Sequence, residues 1–303
     1  MSTLRAYKEL CELSGLDVSQ DVRLAQLTTY RVGGPCDLLV VAHSYPALLH
    51  ALRTLRSCCV PWVVLGRGSN ILASDAGYRG CVVLLGREFS RIAVDGNLLT
   101  AGAAVMLTKL VNESLTHELS GLECCAGIPG SVGGAISMDA GSRHEWIGRV
   151  VRDVVTLDVR RGMRRYQGNE IEWGYRYTSI PRDQVILEAT FELTPSTRAA
   201  VADEMNRRMA RRRATQPTGR PCCGSVFKNP GDRSVGALLD ACGVKGLRVG
   251  GAMVAEKHAN FVLNEGNATA ADVVSVMGQM HDRVQERFGL DLTPEVKFLG
   301  FEG

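Results

Sequence analysis

The spacing of apolar residues changes period several times along this chain. DLLVV (37–41) is a short apolar run that predicts a strand, and PALLHALRTLRSC (46–58) places Leu48, Ala51, Leu52 and Leu55 on one helical face. PWVVLG (61–66) predicts a buried strand leading into a glycine loop, and GCVVLL (80–85) predicts another strand. In RIAVDGNLLTAGAAV (91–105) two apolar runs flank Asp95-Gly96, the pattern of a hairpin turning there, and a helix is expected over 106–117. Alternation returns in VVTLDV (154–159) and in VILEATFEL (185–193), which puts Val185, Leu187, Ala189, Phe191 and Leu193 on one face.

A long helix then spans about 197–214, carries the basic run RRMARRR (207–213), and is broken by QPTGRP (216–221). The main boundary is expected at that break. Beyond it, NFVLN (260–264) predicts a strand, Thr269 is a plausible N-cap, and Val273, Val276, Met277, Met280, Val284 and Phe288 form the apolar stripe of a helix. TPEVKFLG (293–300) closes the chain as a strand. The predicted class is α+β, divided into a short segment 1–30, a sheet-rich part 31–196, a linker helix 197–216 and a C-terminal domain 217–303.

Composition narrows the function classes. With 45% apolar and 22% charged residues among 303, the chain can bury large cores, and a net charge of +3 is too mild to argue for nucleic acid. The opening MSTLRAYKELCELSGL mixes charges without an apolar core, so no secretory signal is expected and a cytoplasmic protein is. The longest uncharged stretch, CCAGIPGSVGGAISM (124–138), is glycine-rich and too short to span a bilayer, so no membrane partner is expected. Ten cysteines include three adjacent pairs but no C-x-x-C, so they are expected as reduced, packed thiols and not as metal ligands.

Two loops carry candidate chemistry. LGRGSNIL (65–72) follows a strand: Gly66 and Gly68 let backbone N–H groups approach an anion, Ser69 and Asn70 add donors, and Ile71 closes the loop. It is neither a Rossmann fingerprint nor a Walker loop, and an ordinary strand-to-loop turn would look similar. GIPGSVGGAI (127–136) is more specific, with Gly127, Ile128, Pro129, Gly130, Ser131, Gly133 and Gly134 in a tight turn or a second backbone cradle. Two such cradles suit a dinucleotide with a pyrophosphate.

With these loops in hand, the chain resembles the UDP-N-acetylenolpyruvoylglucosamine reductases of peptidoglycan synthesis. The ordered motifs are TTYRVGG (28–34), VLGRGSNIL, GIPGSVGGA, MDAG (138–141), GYRYTS (174–179), GSVFKNP (224–230), EKHANFVLN (256–264) and PEVKFLG (294–300). The resemblance implies a two-lobed FAD-binding module of the vanillyl-alcohol-oxidase type over 31–196, its lobes split near residue 66, and a C-terminal α+β domain for a UDP-sugar substrate. It also implies non-covalent FAD and NADPH as co-substrate, with reduction of the enolpyruvyl double bond of UDP-N-acetylglucosamine enolpyruvate. The family usually has asparagine where this chain has Asp139 and commonly serine where it has Thr178. Only SIPRDQ (179–184) follows the YR motif, which matches the branch lacking an inserted loop.

The family's catalytic residues map onto three positions here. Arg176 would stabilise charge growing on the substrate carboxylate, a task suited to a permanently charged planar fork; taken alone it would read as a strand-end arginine in a surface ion pair. Glu295 would help polarise the same carboxylate end in its protonated form, against a plain reading as an edge-strand glutamate. Ser225 would give a proton to the α carbon. A hydroxyl is a poor acid at neutral pH, yet it suffices for so basic a carbon, and no neighbouring histidine is needed for such a role. Gly224 would let the backbone approach the ligand. Tyr175, Lys228, Asn229 and Arg213 are expected to hold substrate, although the arginine run that ends at Arg213 would ordinarily be a solvated helix face. A sugar or alcohol oxidase on the same module is the alternative, but GRGSNIL lacks the histidine that often tethers FAD there. A basic protein binding nucleic acid through RRMARRR is the other, and it lacks aromatic platforms.

Overall fold

Ser44 starts the first long helix, Tyr45–Ser57: its hydroxyl accepts the Ala47 N–H at 3.3 Å, with proline in the first turn. The predicted stripe of Leu48, Ala51, Leu52 and Leu55 is fully buried. The computed structural model describes residues 2–142 and 144–301. They fall into two units, the first made of Met1–Gln20, Leu38–Arg67 and Gly80–Arg211, the second of Asp21–Asp37, Gly68–Arg79 and Arg212–Gly303.

The first unit has two hydrophobic clusters. One packs Leu48, Leu52 and Leu55 with Leu38, Val40, Cys81, Val83 and Phe89, beside a sheet ordered Leu16–Arg23, Pro35–Ala42, Tyr78–Leu85, Trp62–Val64. The other packs Leu99, Ala101, Ala189 and Phe191 with Leu110, Val132 and Ile136. Its five-stranded antiparallel sheet runs Gly162–Gln167, Val151–Asp158, Gln184–Glu192, Leu98–Gly102, Ile92–Asp95. The first cluster also takes in Leu157, Val185 and Leu187, so the strands Val151–Asp158 and Gln184–Glu192 contribute to both. The hairpin turn lies one residue beyond the expected Asp95-Gly96: Asp95 pairs with Leu98, so Gly96 and Asn97 form the loop and Gly96 takes φ +58. Gly162–Gln167 went unpredicted because GMRRYQ is polar along most of an edge strand.

The second unit is built around the helix Ala270–Phe288. Thr269 caps it as expected, in a reciprocal pair with Asp272, and Gly289 ends it in the left-handed region at φ +64. Val273, Val276, Met277, Met280 and Val284 are buried, and Phe288 is packed at the margin. The helix packs on a small antiparallel sheet of Arg248–Val249, Ala252–Val254 and Val262–Asn264. Two segments far upstream complete this unit. Ile71–Ala73 pairs in parallel with Lys297–Leu299, the Asp75 carboxylate accepts the Ala270 and Ala271 N–H groups at 2.8 and 3.0 Å, and the buried Tyr30 hydroxyl donates to the Val262 carbonyl at 2.7 Å. The second unit therefore draws on Asp21–Asp37 and Gly68–Arg79 as well as on the C-terminal stretch.

Of the ten cysteines, Cys36, Cys58, Cys81, Cys125 and Cys223 are buried, whereas Cys11 and Cys59 are exposed, and no disulfide joins any of the ten. Among the described residues no helix is long and apolar enough to cross a membrane.

Candidate active site

Arg176 sits at the tip of a tight hairpin in the first unit. Trp173 pairs with Thr178 and Gly174 with Tyr177, which leaves Tyr175 and Arg176 as a two-residue loop. Arg176 takes φ +59, a left-handed conformation that costs a non-glycine residue about 1–2 kcal/mol. Its Nη1 donates to the Gly141 carbonyl at 3.3 Å, and its guanidinium carbon lies 5.1 Å from the Tyr175 ring centre. Tyr175 itself is exposed. The hairpin thus presents an aromatic ring and a held cation together.

The turn that carries Gly141 also carries Asp139. Asp139 is buried, takes φ +41, and accepts the Gly148 N–H on Oδ1 at 3.1 Å. Asparagine and aspartate tolerate this backbone better than other side chains, which gives a physical reason for either residue here. Burial pushes the carboxyl up to about 6, opposed by the Gly148 hydrogen bond and by the Arg176 charge. A carboxyl raised in the fold contributes its full stability only below its unfolded value of 3.8, and that contribution is lost as pH rises through about 6. Asp139→Asn keeps the acceptor for Gly148 and removes the ionisation. The variant should therefore gain stability over the parent between pH 4 and 8, by at most about 3 kcal/mol in denaturant titrations. A pH-independent difference would show that the carboxyl does not change charge in that range.

The two glycine loops meet within the first unit at Gly66 and Ser131. A Cβ on Gly66 would stand 2.4 Å from Ser131 Oγ, so any side chain there would displace the Ser131 hydroxyl. Ser131 caps the short helix Val132–Ser137 by accepting the Gly134 N–H at 3.5 Å, a use that leaves its hydroxyl hydrogen available to an anion. Gly127 and Gly130 have φ +72 and +156, and the chain folds back so that the Ile128 N–H donates to Cys125. Gly133 donates to the Ala103 carbonyl, and a Cβ there would be 2.9 Å from Ala103 Cβ, so this glycine serves close packing. Gly127, Pro129 and Gly134 are exposed along the loop and Ile128 and Gly130 half-buried, a glycine-lined surface that fits a pyrophosphate.

The remainder of the first loop belongs to the second unit. Gly68 is buried at φ +60, and its carbonyl accepts the Thr29 N–H and, at 3.4 Å, the Thr29 hydroxyl. Ser69 is half-buried. Asn70 Nδ2 donates to the Glu295 carbonyl at 3.1 Å, and Ile71 begins the strand paired to Lys297. Asn70 therefore anchors the backbone of Glu295.

Ser225 and Glu295 come together in that unit. The Glu295 N–H donates to the Val226 carbonyl at 2.8 Å, the Lys228 N–H donates to Thr293 at 2.9 Å, and Ser225 makes a β-bridge to Phe261. Ser225 and Lys228 are half-buried, whereas Glu295 is buried. Gly224 has φ +81, and a Cβ there would meet open space, so the backbone conformation alone selects glycine. Asn229 is partly committed elsewhere: its Oδ1 accepts the Val235 N–H at 3.0 Å at the start of the helix Val235–Ala241. Arg213 is exposed, and its carbonyl accepts Lys257 Nζ at 2.5 Å. Arg207 of the basic run is exposed and pairs with Glu204, whereas the half-buried Arg208 pairs with both Glu204 and Glu145. Arg176 and Tyr175 belong to the first unit, and Ser225, Lys228, Asn229, Arg213 and Glu295 to the second. Nothing in local sequence marks Thr29, Gly141 or Gly148 as supports of these residues.

Facing glycine loops on an α+β unit define a binding module for a dinucleotide diphosphate. A model of the FAD binding domain matches residues 36–167. A second model, the C-terminal domain of UDP-N-acetylenolpyruvoylglucosamine reductase, matches residues 216–299. The chain is 39% identical over 286 residues to the UDP-N-acetylenolpyruvoylglucosamine reductase of Heliobacterium modesticaldum, covering 94% of this chain and 91% of that one. It is 41% identical over 278 residues to reductase 2 of Symbiobacterium thermophilum, covering 91% and 90%. The crystal structure of the Thermus caldophilus reductase superposes with a TM-score of 0.83 at 34% identity, covering 94% of this chain and 99% of that one. The chain belongs to the UDP-N-acetylenolpyruvoylglucosamine reductase family and is an FAD-containing oxidoreductase.

Proposed function

We propose that this protein reduces UDP-N-acetylglucosamine enolpyruvate to UDP-N-acetylmuramate for peptidoglycan precursor synthesis, in the cytoplasm, with non-covalent FAD and NADPH as electron donor. The observation that carries the reading is the bond from the Glu295 N–H to the Val226 carbonyl, which sets a buried carboxyl and the Ser225 hydroxyl on adjacent backbone segments. Bound FAD supplies the chemistry of accepting hydride from a nicotinamide and passing it to carbon. Addition at the β carbon leaves charge on the α carbon and its carboxylate. Arg176, fixed by Gly141 and Tyr175, stabilises that charge, because a guanidinium already held in place loses little on reorganising. Glu295 polarises the carboxylate end, and Ser225 gives its proton to the α carbon. Lys228 and Arg213 bind the diphosphate, Tyr175 and Asn229 the sugar side, and the loops at Gly66–Ile71 and Gly127–Gly134 hold the cofactor.

Anaerobic mixing tests this directly. NADPH should bleach the flavin absorbance and the enolpyruvyl substrate should restore it, while acid denaturation releases FAD intact into the supernatant. Flavin precipitating with the polypeptide, or reoxidation by simple sugars or alcohols in place of the UDP-sugar, would favour an oxidase on the same module.

A further inference from the structure

Asn260 lies just before the strand Val262–Asn264 and is 2% exposed. Its carboxamide meets the Phe227 backbone twice: Oδ1 accepts the Phe227 N–H at 3.1 Å, and Nδ2 donates to the Phe227 carbonyl at 2.9 Å. Its main-chain carbonyl also accepts the Val226 N–H at 2.9 Å. On the opposite side the same segment is tied to Thr293 and Glu295. The stretch that carries Ser225 is thus held between two segments, and one of them grips it with a buried side chain.

The chemistry of the groups fixes the amide's orientation, since the flipped form would set donor against donor and acceptor against acceptor. A buried amide bonded at both ends also forbids a register slip, because any slip would leave two polar groups unpaired out of reach of water. Asn264, four residues on, serves a different loop: its Nδ2 donates to the Tyr30 carbonyl at 3.1 Å and its Oδ1 accepts the Gly266 and Ala268 N–H groups. The two asparagines of one motif therefore have separate tasks.

We propose that Asn260 is a positioning residue that fixes where the Ser225 hydroxyl stands against the substrate, an inference that rests on the reading of Ser225 as proton donor. Displacing a reacting group by an ångström costs about a hundredfold in rate, so a residue that grips the backbone of Phe227, two positions from Ser225, can govern the proton transfer without touching substrate.

The test uses the full-length FAD-loaded protein and four variants: Asn260→Asp, Asn260→Gln, Ser225→Ala and the double variant Asn260→Asp/Ser225→Ala. Asn260→Asp keeps the acceptor for the Phe227 N–H and sets an oxygen against its carbonyl. Reoxidation of reduced flavin by the enolpyruvyl substrate should fall about 10- to 100-fold in this variant, with substrate dissociation constant and NADPH-driven reduction changed less than about threefold. Asn260→Gln, with both polar groups restored one methylene further out, should recover part of the rate. In the Ser225→Ala background Asn260→Asp should cost no more than about a further twofold, because the hydroxyl it positions is already gone. Full additivity, equal losses in both half-reactions, or failure of both Asn260 single variants to fold would each overturn the proposal and leave Asn260 a fold element. An unchanged rate in Ser225→Ala alone is a separate outcome: it would remove the donor reading, and this proposal with it.

Discussion

Replacing Ser225 with alanine is expected to slow reoxidation of the reduced flavin by substrate about two to four orders of magnitude, the range a general acid supplies. FAD binding and reduction by NADPH should stay nearly intact. The selectivity follows from how Ser225 is held. Its segment is fixed by backbone bonds of Val226, Phe227 and Lys228 and by the bridge to Phe261, none of which uses the hydroxyl. Ser225→Ala therefore removes an acid and leaves the scaffold. Ser225→Cys should recover part of the rate, since a thiol is a better acid at nearly the same place. In deuterated water the solvent label should enter at the α carbon, while deuteride from the nicotinamide should appear at the β carbon. A Ser225→Ala enzyme with a near-normal oxidative half-reaction would make the loop a binding turn only.

Much of the local architecture is written in the residue pattern, and long-range assembly much less so. The stripe from Val273 to Val284 and its Thr269 cap follow from helical period and hydroxyl chemistry, and both are present. Leu48, Ala51, Leu52 and Leu55 likewise announce their own burial. Period says which face of an element is buried but not against what. The placement of residues 21–37 and 68–79 in the C-terminal unit rests on bonds such as Thr29 to Cys222, 193 residues apart, which no local window can register. The same limit hid the neighbourhood of Ser225. His258 is absent from its sequence flanks, yet its ring stacks obliquely at 4.8 Å on Phe261, the bridge partner of Ser225. The motif EKHANFVLN supported the family resemblance without disclosing that Asn260 grips Phe227, because a buried amide and an exposed one look alike in sequence.

Arg176 offers the sharpest separation of stability from activity. Its φ of +59 suits glycine, and the residue is nevertheless an arginine. Strain retained at a hairpin tip is consistent with a side chain needed for function. Arg176→Ala keeps the unfavourable backbone and discards the guanidinium, while Arg176→Gly relaxes the backbone as well. The glycine variant should be more stable than the alanine variant by about 1 kcal/mol, the reverse of the order these residues show in a helix interior. Both lose the bond to Gly141 and the stacking on Tyr175. Each should reoxidise with substrate about a hundred- to a thousandfold more slowly than the parent, as when one preorganised donor to a developing anion is removed. Arg176→Lys should fall between, because a point charge cannot reproduce a planar fork that is bonded on one side and stacked on the other. Urea titrations and stopped-flow traces on the same preparations would decide it. Equal stability of the alanine and glycine variants would refute the strain, and a fast half-reaction in either would remove Arg176 from the charge-stabilising role.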